Sequence, residues 1–249
     1  MIDLTGMHIL IIGGSRGIGA AAAICAARAG ANVSLTYVRG QAAAEAVVAS
    51  IAAAGGTAQA LAADLTVAAS IEQATAAAVA RFGPLHGVVV SAGAFVGKSL
   101  REMTPDFWDE VVGVNLRGTF LAVKAAETRL VDGGSIVIYT STAGQRGSAV
   151  FSAYATAKAG QIIFMRSMAL ELAPRRIRVN CIAPSWTETE MSAGTMDSIG
   201  REKILAGCPL GRVGQPADVA NATAFLLSPL ASFITGTTMT VDGGIDLRG

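Results

Sequence analysis

The chain has 249 residues, of which 52% are hydrophobic and only 15% charged, with a formal net charge of +1. That length suits one α/β domain with a large core. The near-neutral charge, without a basic run, argues against nucleic acid or an anionic membrane as partner. Three cysteines (Cys25, Cys181, Cys208) form an odd set at no metal-ligand spacing, so they read as reduced thiols of a cytoplasmic protein with no metal site. No basic leader precedes an apolar run at the N-terminus, and no apolar stretch is long enough to span a bilayer. Neither a signal peptide nor a membrane anchor is expected.

Met7 to Ile12 reads as a buried strand, followed directly by Gly13-Gly-Ser-Arg-Gly-Ile-Gly19 and an Ala-rich helix to about Gly30. A glycine loop between a strand and a helix start lets the backbone turn tightly and approach a pyrophosphate on the positive end of the helix. The second strand, Asn32 to Tyr37, ends where an acidic residue would bond an adenosine ribose 2′-hydroxyl. Here Tyr37 is followed by Arg39, with Arg16 in the glycine loop and no carboxylate to repel a 2′-phosphate. NADP(H) is therefore favoured as cofactor, with NAD(H) left open.

A helix over 40–54 and a third strand, Thr57 to Ala62, lead to Asp64, placed either to meet an adenine edge or to cap a helix over 67–82, or both. The fourth strand, His86 to Ser91, runs into Ser91-Ala92-Gly93, where small residues let a cofactor lie close to the backbone. His8 and His86, in or beside buried strands with no second ligand near, read as structural. Asn115, in an otherwise apolar helix over 105–130, either satisfies local backbone groups or organises water beside a lysine.

A strand over 135–140 delivers Ser141 to its carboxyl end, where open α/β sheets bind ligands. Tyr154 and Lys158 then stand one helical turn apart on a helix running to Ala173. A neighbouring ammonium favours the phenolate, so Lys158 is expected to lower the Tyr154 pKa toward that of a working acid/base for an alcohol or ketone. A sixth strand, 177–182, precedes Ala183-Pro184-Ser185 and a segment over 186–212, rich in Thr, Ser, Gly and Met, which reads as an irregular substrate lid. A helix over 215–228 and a strand over 237–241 complete the chain.

Taken together, Gly13-x-x-x-Gly17-x-Gly19, Asp64, Ser91-Ala92-Gly93, Asn115, Ser141, Tyr154-x-x-x-Lys158, Pro184 with Thr189, and Ile234-Thr-Gly236 to Val241-Asp-Gly-Gly244 resemble the short-chain dehydrogenase/reductase family over essentially the full length. The resemblance implies a single-domain Rossmann fold, a doubly wound seven-stranded parallel sheet with helices on both faces, spanning 1–249. It also implies a homotetramer. Tyr154 would donate the proton, Ser141 would hold the substrate oxygen, and Lys158 would lower the Tyr154 pKa and bind the nicotinamide ribose. Asn115 would hold the relay water, and Thr187 and Thr189 would meet the nicotinamide carboxamide. The cofactor set it implies comprises Gly13, Ser15, Arg16, Gly17, Ile18, Gly19, Tyr37, Arg39, Asp64, Leu65, Ala92, Gly93, Tyr154, Lys158, Pro184, Thr187 and Thr189. Ile12, Val90-Ser91 and Ser185 depart from the family pattern without touching the Asn-Ser-Tyr-Lys set.

Pro209-Leu-Gly-Arg212 and Asp218-Val-Ala220 are similar to the 3-oxoacyl-acyl-carrier-protein reductases, which dock an acidic carrier on arginines. This chain has Thr128 and Leu170 at the matching places, with Arg129 adjacent. A neutral face loses that steering, so the preferred reading is an NADP(H)-dependent carbonyl reductase or alcohol dehydrogenase for a free, mostly apolar ketone. Carrier-thioester reduction is the alternative, and a non-catalytic dinucleotide sensor a remote one. Candidate substrate contacts are Phe95, Gln145, Phe151, Trp186 and Met191. Arg146 reads as a surface arginine in preference to a partner for a substrate carboxylate.

Overall fold

A computed structural model describes residues 2–246. Seven parallel strands form one sheet in the order β3-β2-β1-β4-β5-β6-β7. They are β1 (His8–Ile12), β2 (Asn32–Tyr37), β3 (Thr57–Ala62), β4 (Leu85–Val90), β5 (Leu130–Tyr139), β6 (Arg178–Pro184) and β7 (Thr238–Val241). A parallel sheet covered on both faces needs apolar side chains pointing both ways, which is why its strands read as unbroken runs such as His-Ile-Leu-Ile-Ile. Leu10, Ile12, Val88, Val90, Ile136 and Ile138 enter one core, while Ile9, Ile11, Val89 and Val137 enter the other.

The first core is closed by α3 (Ala68–Phe82), α5 (Gly118–Glu127) and α7 (Ser152–Glu171). The second is closed by α1 (Gly17–Arg28), α2 (Gln41–Ala53) and α10 (Pro216–Leu227). The winding reverses between β1 and β4, and at such a switch point the carboxyl ends of the two strands open a crevice. The crevice is fixed by the Ser91 and Ala92 N–H groups, each donating to the Ile12 carbonyl at 2.9 Å.

Two expectations are corrected. The stretch 105–130 is not one helix: α4 (Pro105–Val112) and α5 are joined by a π turn, Gly113–Arg117, and β5 already begins at Leu130, paired with Leu85 across a register shift. The segment 186–212 is not irregular either, since it holds α8 (Glu190–Ile199) and α9 (Arg201–Ala206). Thr189 caps α8, its hydroxyl accepting the Ser192 N–H at 3.3 Å. Met196, Ile204 and Cys208 form a small core of their own against Trp186 and Val213. Tertiary burial thus overrides the Ser, Gly, Thr and Asp of α8, while α9, Arg-Glu-Lys-Ile-Leu-Ala, is made of good helix formers. Among the described residues no helix is long and apolar enough to cross a membrane.

His8 spans Gly83 and Ser34 at 2.9 and 2.8 Å, and its N–H donates to His86 Nδ1 at 3.1 Å. Both histidines are bracing, as expected. Cys25, Cys181 and Cys208 are free thiols, and burial pushes Cys181 up to about 12, which keeps it protonated and inert.

Candidate active site

The sheet delivers the chemistry-bearing residues from three neighbouring strands. β5 ends at Tyr139, and two residues on Ser141 caps the short helix α6 (Thr142–Arg146), its Oγ accepting the Ala143 N–H at 3.1 Å. The first turns of α7 carry Tyr154 and Lys158. The Thr140 hydroxyl donates to the Lys158 carbonyl, and Lys158 Nζ donates to the Tyr139 carbonyl, both at 2.7 Å. These two bonds staple α7 across the end of β5, and an added Cβ at Gly144 would meet the Lys158 backbone at 2.7 Å, so α6 lies hard against it as well.

The expected lowering of the Tyr154 pKa is not what this arrangement produces. Lys158 Nζ is committed to the Tyr139 carbonyl and stands 5.6 Å from the centre of the Tyr154 ring. Burial dominates both groups and favours their neutral forms. Tyr154 is pushed up to about 12, with a hydrogen bond to Ser141 pulling the other way, and Lys158 is pushed down to about 8. A phenol held neutral at ordinary pH is a proton donor.

Asn115 sits in the π turn, fully buried. Its Nδ2 donates to the Val111 and Ala94 carbonyls at 2.9 and 3.0 Å, and its Oδ1 accepts the Ala94 N–H at 3.2 Å. Its own carbonyl accepts the Thr119 hydroxyl at 2.7 Å and Gln161 Nε2 at 2.9 Å. Asn115 thus satisfies local backbone groups at Ala94 and Val111.

One cavity of about 330 Å³ joins these elements. Ser141, Tyr154 and Lys158 line it together with Ile18 from α1, Pro184 at the end of β6, Trp186, Thr187 and Thr189 after it, and Phe95, Phe151 and Met191. Phe95 stacks on Phe151 at 4.5 Å and meets the rings of Tyr154 and Trp186 edge-on at 5.1 and 6.1 Å. The reacting end is therefore walled by aromatic faces. Trp186 is fixed from behind, its carbonyl accepting the Gly214 N–H at 2.9 Å.

Several expected residues lie elsewhere. Gln145 turns away from the cavity, its Nε2 donating to Thr240 Oγ1 on β7 at 3.2 Å. Leu65 is buried in the core and packs against Gly118. Asp64 does not cap α3, whose cap residue is Val67; its carboxylate instead accepts the Thr66 N–H and hydroxyl at 2.8 and 2.7 Å. Nor is the nucleotide end free of carboxylates. Arg39 lies within electrostatic reach of Asp64, and Arg16 pairs with Glu190 at 3.4 Å on the surface. Sequence reasoning also missed Ser148 and Ile199 as cavity residues. Ile199 was hidden because 186–212 did not read as helix, and no local signal marks Ser148.

The crevice fits a dinucleotide. At Gly13, φ is +85° and a Cβ would meet the Ala92 backbone at 2.7 Å, so the loop can hold only glycine against the second crevice wall. The N-terminus of α1 has neither a side-chain cap nor an acidic residue in its first turn, which leaves its N–H donors turned toward an anion.

The chain belongs to the short-chain dehydrogenase/reductase family of oxidoreductases, which act on CH–OH groups with a nicotinamide dinucleotide. A family description reading enoyl-(acyl carrier protein) reductase matches residues 13–246. The 3-oxoacyl-[acyl-carrier-protein] reductase of Synechocystis sp. is 38% identical over 98% of this chain and 99% of its own length. Among solved structures, a dehydrogenase/reductase from Sinorhizobium meliloti is 40% identical with a TM-score of 0.92, covering 98% of this chain and 97% of its own. A short-chain dehydrogenase from Burkholderia cenocepacia in complex with NADP is 36% identical with a TM-score of 0.92, covering 98% and 99%.

Proposed function

We propose that the protein is an NADP(H)-dependent reductase of a free ketone, equally a dehydrogenase of the matching secondary alcohol, with Tyr154 as the acid/base. The observation that carries this reading is the placement of Tyr154 and Ser141 together on one cavity, with Phe95 packed edge-on against the Tyr154 ring.

A nicotinamide dinucleotide held in the crevice would supply a hydride to the carbonyl carbon. Tyr154 Oη, held neutral by burial, would give its proton to the carbonyl oxygen, which completes the conversion of ketone to alcohol. Ser141 orients the oxygen by hydrogen bonding. Lys158 holds its place through the Tyr139 carbonyl and would bond the nicotinamide ribose. Asn115 acts through position: by gripping Ala94 on both sides it sets Gly93 and Phe95 against the cofactor and substrate. Pro184, Thr187 and Thr189 would meet the nicotinamide, and the Gly13–Gly19 loop the pyrophosphate. Arg39 is the better placed partner for a 2′-phosphate, because Arg16 is paired with Glu190. The NADP-bound Burkholderia structure supports this choice of nucleotide.

The apolar residues Phe120, Ile163 and Leu170 stand exposed on α5 and α7, which supports a homotetramer as the working form. The three free thiols suit the cytoplasm. The α8–α9 segment would serve as the substrate lid, since Met191 and Ile199 of α8 line the cavity.

A second reading, reduction of a 3-oxoacyl carrier thioester, is favoured by the Synechocystis relative. Steady-state NADPH oxidation on a 3-oxoacyl thioester beside a panel of cyclic, aryl and aliphatic ketones separates the two. Turnover concentrated on free ketones supports the first reading, and a strong thioester preference supports the second.

A further inference from the structure

On its exposed rim, the cavity that Tyr154 lines carries a cation, Arg146, that the rest of the protein leaves uncommitted. Arg146 and Ser148 flank Gly147 at the end of α6 and both line the cavity. The other cavity cation, Lys158, is tied to the Tyr139 carbonyl. Arg146 has no hydrogen bond or ion pair among the described residues, in contrast to Arg129, Arg175, Arg201 and Arg212, each of which grips a carboxylate. Its neighbour Gln145 is drawn to Thr240 and does not line the cavity. Among the described residues, no Asp or Glu lines the cavity.

Phe95, Phe151, Trp186 and Ile199 add aromatic and aliphatic surface to the same cavity. The cavity therefore combines a proton donor, an aromatic wall, and a guanidinium with a hydroxyl two residues on. A planar guanidinium recognises a carboxylate through paired N–H donors.

We propose that the substrate is an oxo acid: a ketone whose apolar, ring-sized body carries a carboxylate away from the reacting carbonyl, held at the rim by Arg146 with Ser148 assisting. This rests on the reductase reading of the same cavity and narrows it. Because the rim is exposed to water, Arg146 contributes discrimination of modest size. The deep apolar walls contribute the rest of the binding.

The test uses the full-length protein with NADPH and matched pairs of probes, 3- and 4-acetylbenzoate against 3- and 4-acetylbenzamide. The wild type is expected to favour the acid over the amide in kcat/KM at one of the two spacings, and Arg146→Gln to reduce that acid-to-amide ratio about tenfold, as for loss of one charge-assisted bond. A wild-type ratio at or below one for both pairs, or a ratio unchanged in Arg146→Gln, overturns the proposal. Thermal shifts of the NADPH-bound protein with the same probes read recognition without turnover. An acid-specific shift lost in Arg146→Gln, with no turnover of any probe, keeps the rim site and refutes the reductase reading. A third arm compares acetoacetyl-CoA with its uncharged N-acetylcysteamine thioester. If Arg146→Gln lowers only that ratio, the anion is a thioester-arm phosphate and the oxo-acid assignment falls.

Discussion

Asn115 holds Ala94 from both sides, donating to its carbonyl at 3.0 Å and accepting its N–H at 3.2 Å. The residue before Ala94 is Gly93, where an added Cβ would lie 2.6 Å from Asn115 Oδ1. The π turn and the loop after β4 are thus locked into one unit, with the aromatic wall beginning at Phe95. Gly93→Ala should push the buried amide off its partners at a cost of about 1–3 kcal/mol. The melting temperature should fall by several degrees and kcat with it. An unchanged melting temperature with full activity would show that the unit tolerates the shift and does not set the site.

The nucleotide end offers a cleaner separation of binding from chemistry. Arg39→Asp should raise the KM for NADPH by about tenfold or more, through loss of a charge-assisted bond to the 2′-phosphate, and leave NADH little affected. Equal effects on the two cofactors in parallel titrations would remove Arg39 from the phosphate site.

Lys158 makes a pH-dependent contribution whose sign follows from burial. Its folded pKa of about 8 lies below the ordinary 10.5, so folding disfavours the ammonium. That penalty is fully present below about pH 8 and is relieved as pH rises toward 10.5. Relative to Lys158→Met, the wild type should therefore gain stability between pH 7 and 9.5, as read by paired thermal melts. Tyr154 adds nothing in that window. Raised to about 12, it contributes stability that is fully present below pH 10 and is lost only as pH climbs through 12. A wild-type-to-variant difference that is flat with pH, or of opposite sign, would show that Lys158 is not desolvated.

The backbone of the loop between α6 and α7 is also testable. Val150 is a β-branched residue at φ +68°, directly before the wall residue Phe151. Such a residue in the left-handed region costs about 1–3 kcal/mol. Val150→Gly should leave the protein at least as stable while loosening Phe151, so that KM for an aryl ketone rises more than kcat falls. A clear loss of stability would mean that the loop is not strained.

Much of this architecture is legible in the residues, and the exceptions have physical causes. The bounds of β2 and β3 coincide with the expected 32–37 and 57–62 because each is a short β-run enclosed by turn-forming residues. Tyr154, Lys158 and Ser141 meet as expected, since one is placed by a helical turn and the other by a strand end. What the pattern could not reveal depends on contacts distant in sequence. The π turn at 113–117 is a backbone displacement that apolar periodicity does not record. Helices α8 and α9 are held by Met196, Ile204 and Cys208 packing on Trp186, which is not a property of their own composition. Gln145 and Arg146 are adjacent, and only the position of α6 against β7 separates the one that faces the sheet from the one that lines the cavity. The upward shift of Tyr154 is of the same kind: the spacing shows a lysine nearby, while the shift is set by burial, which comes from elements distant in sequence.

Whether Tyr154 supplies the proton is decided by single-turnover NADPH oxidation in wild type and Tyr154→Phe on the best ketone of the panel. The rate should fall by about 10²–10⁴-fold, with NADPH binding, followed by its fluorescence, unchanged. A variant that still reduces the ketone at the wild-type rate would contradict the assignment and place the proton donor elsewhere in the cavity.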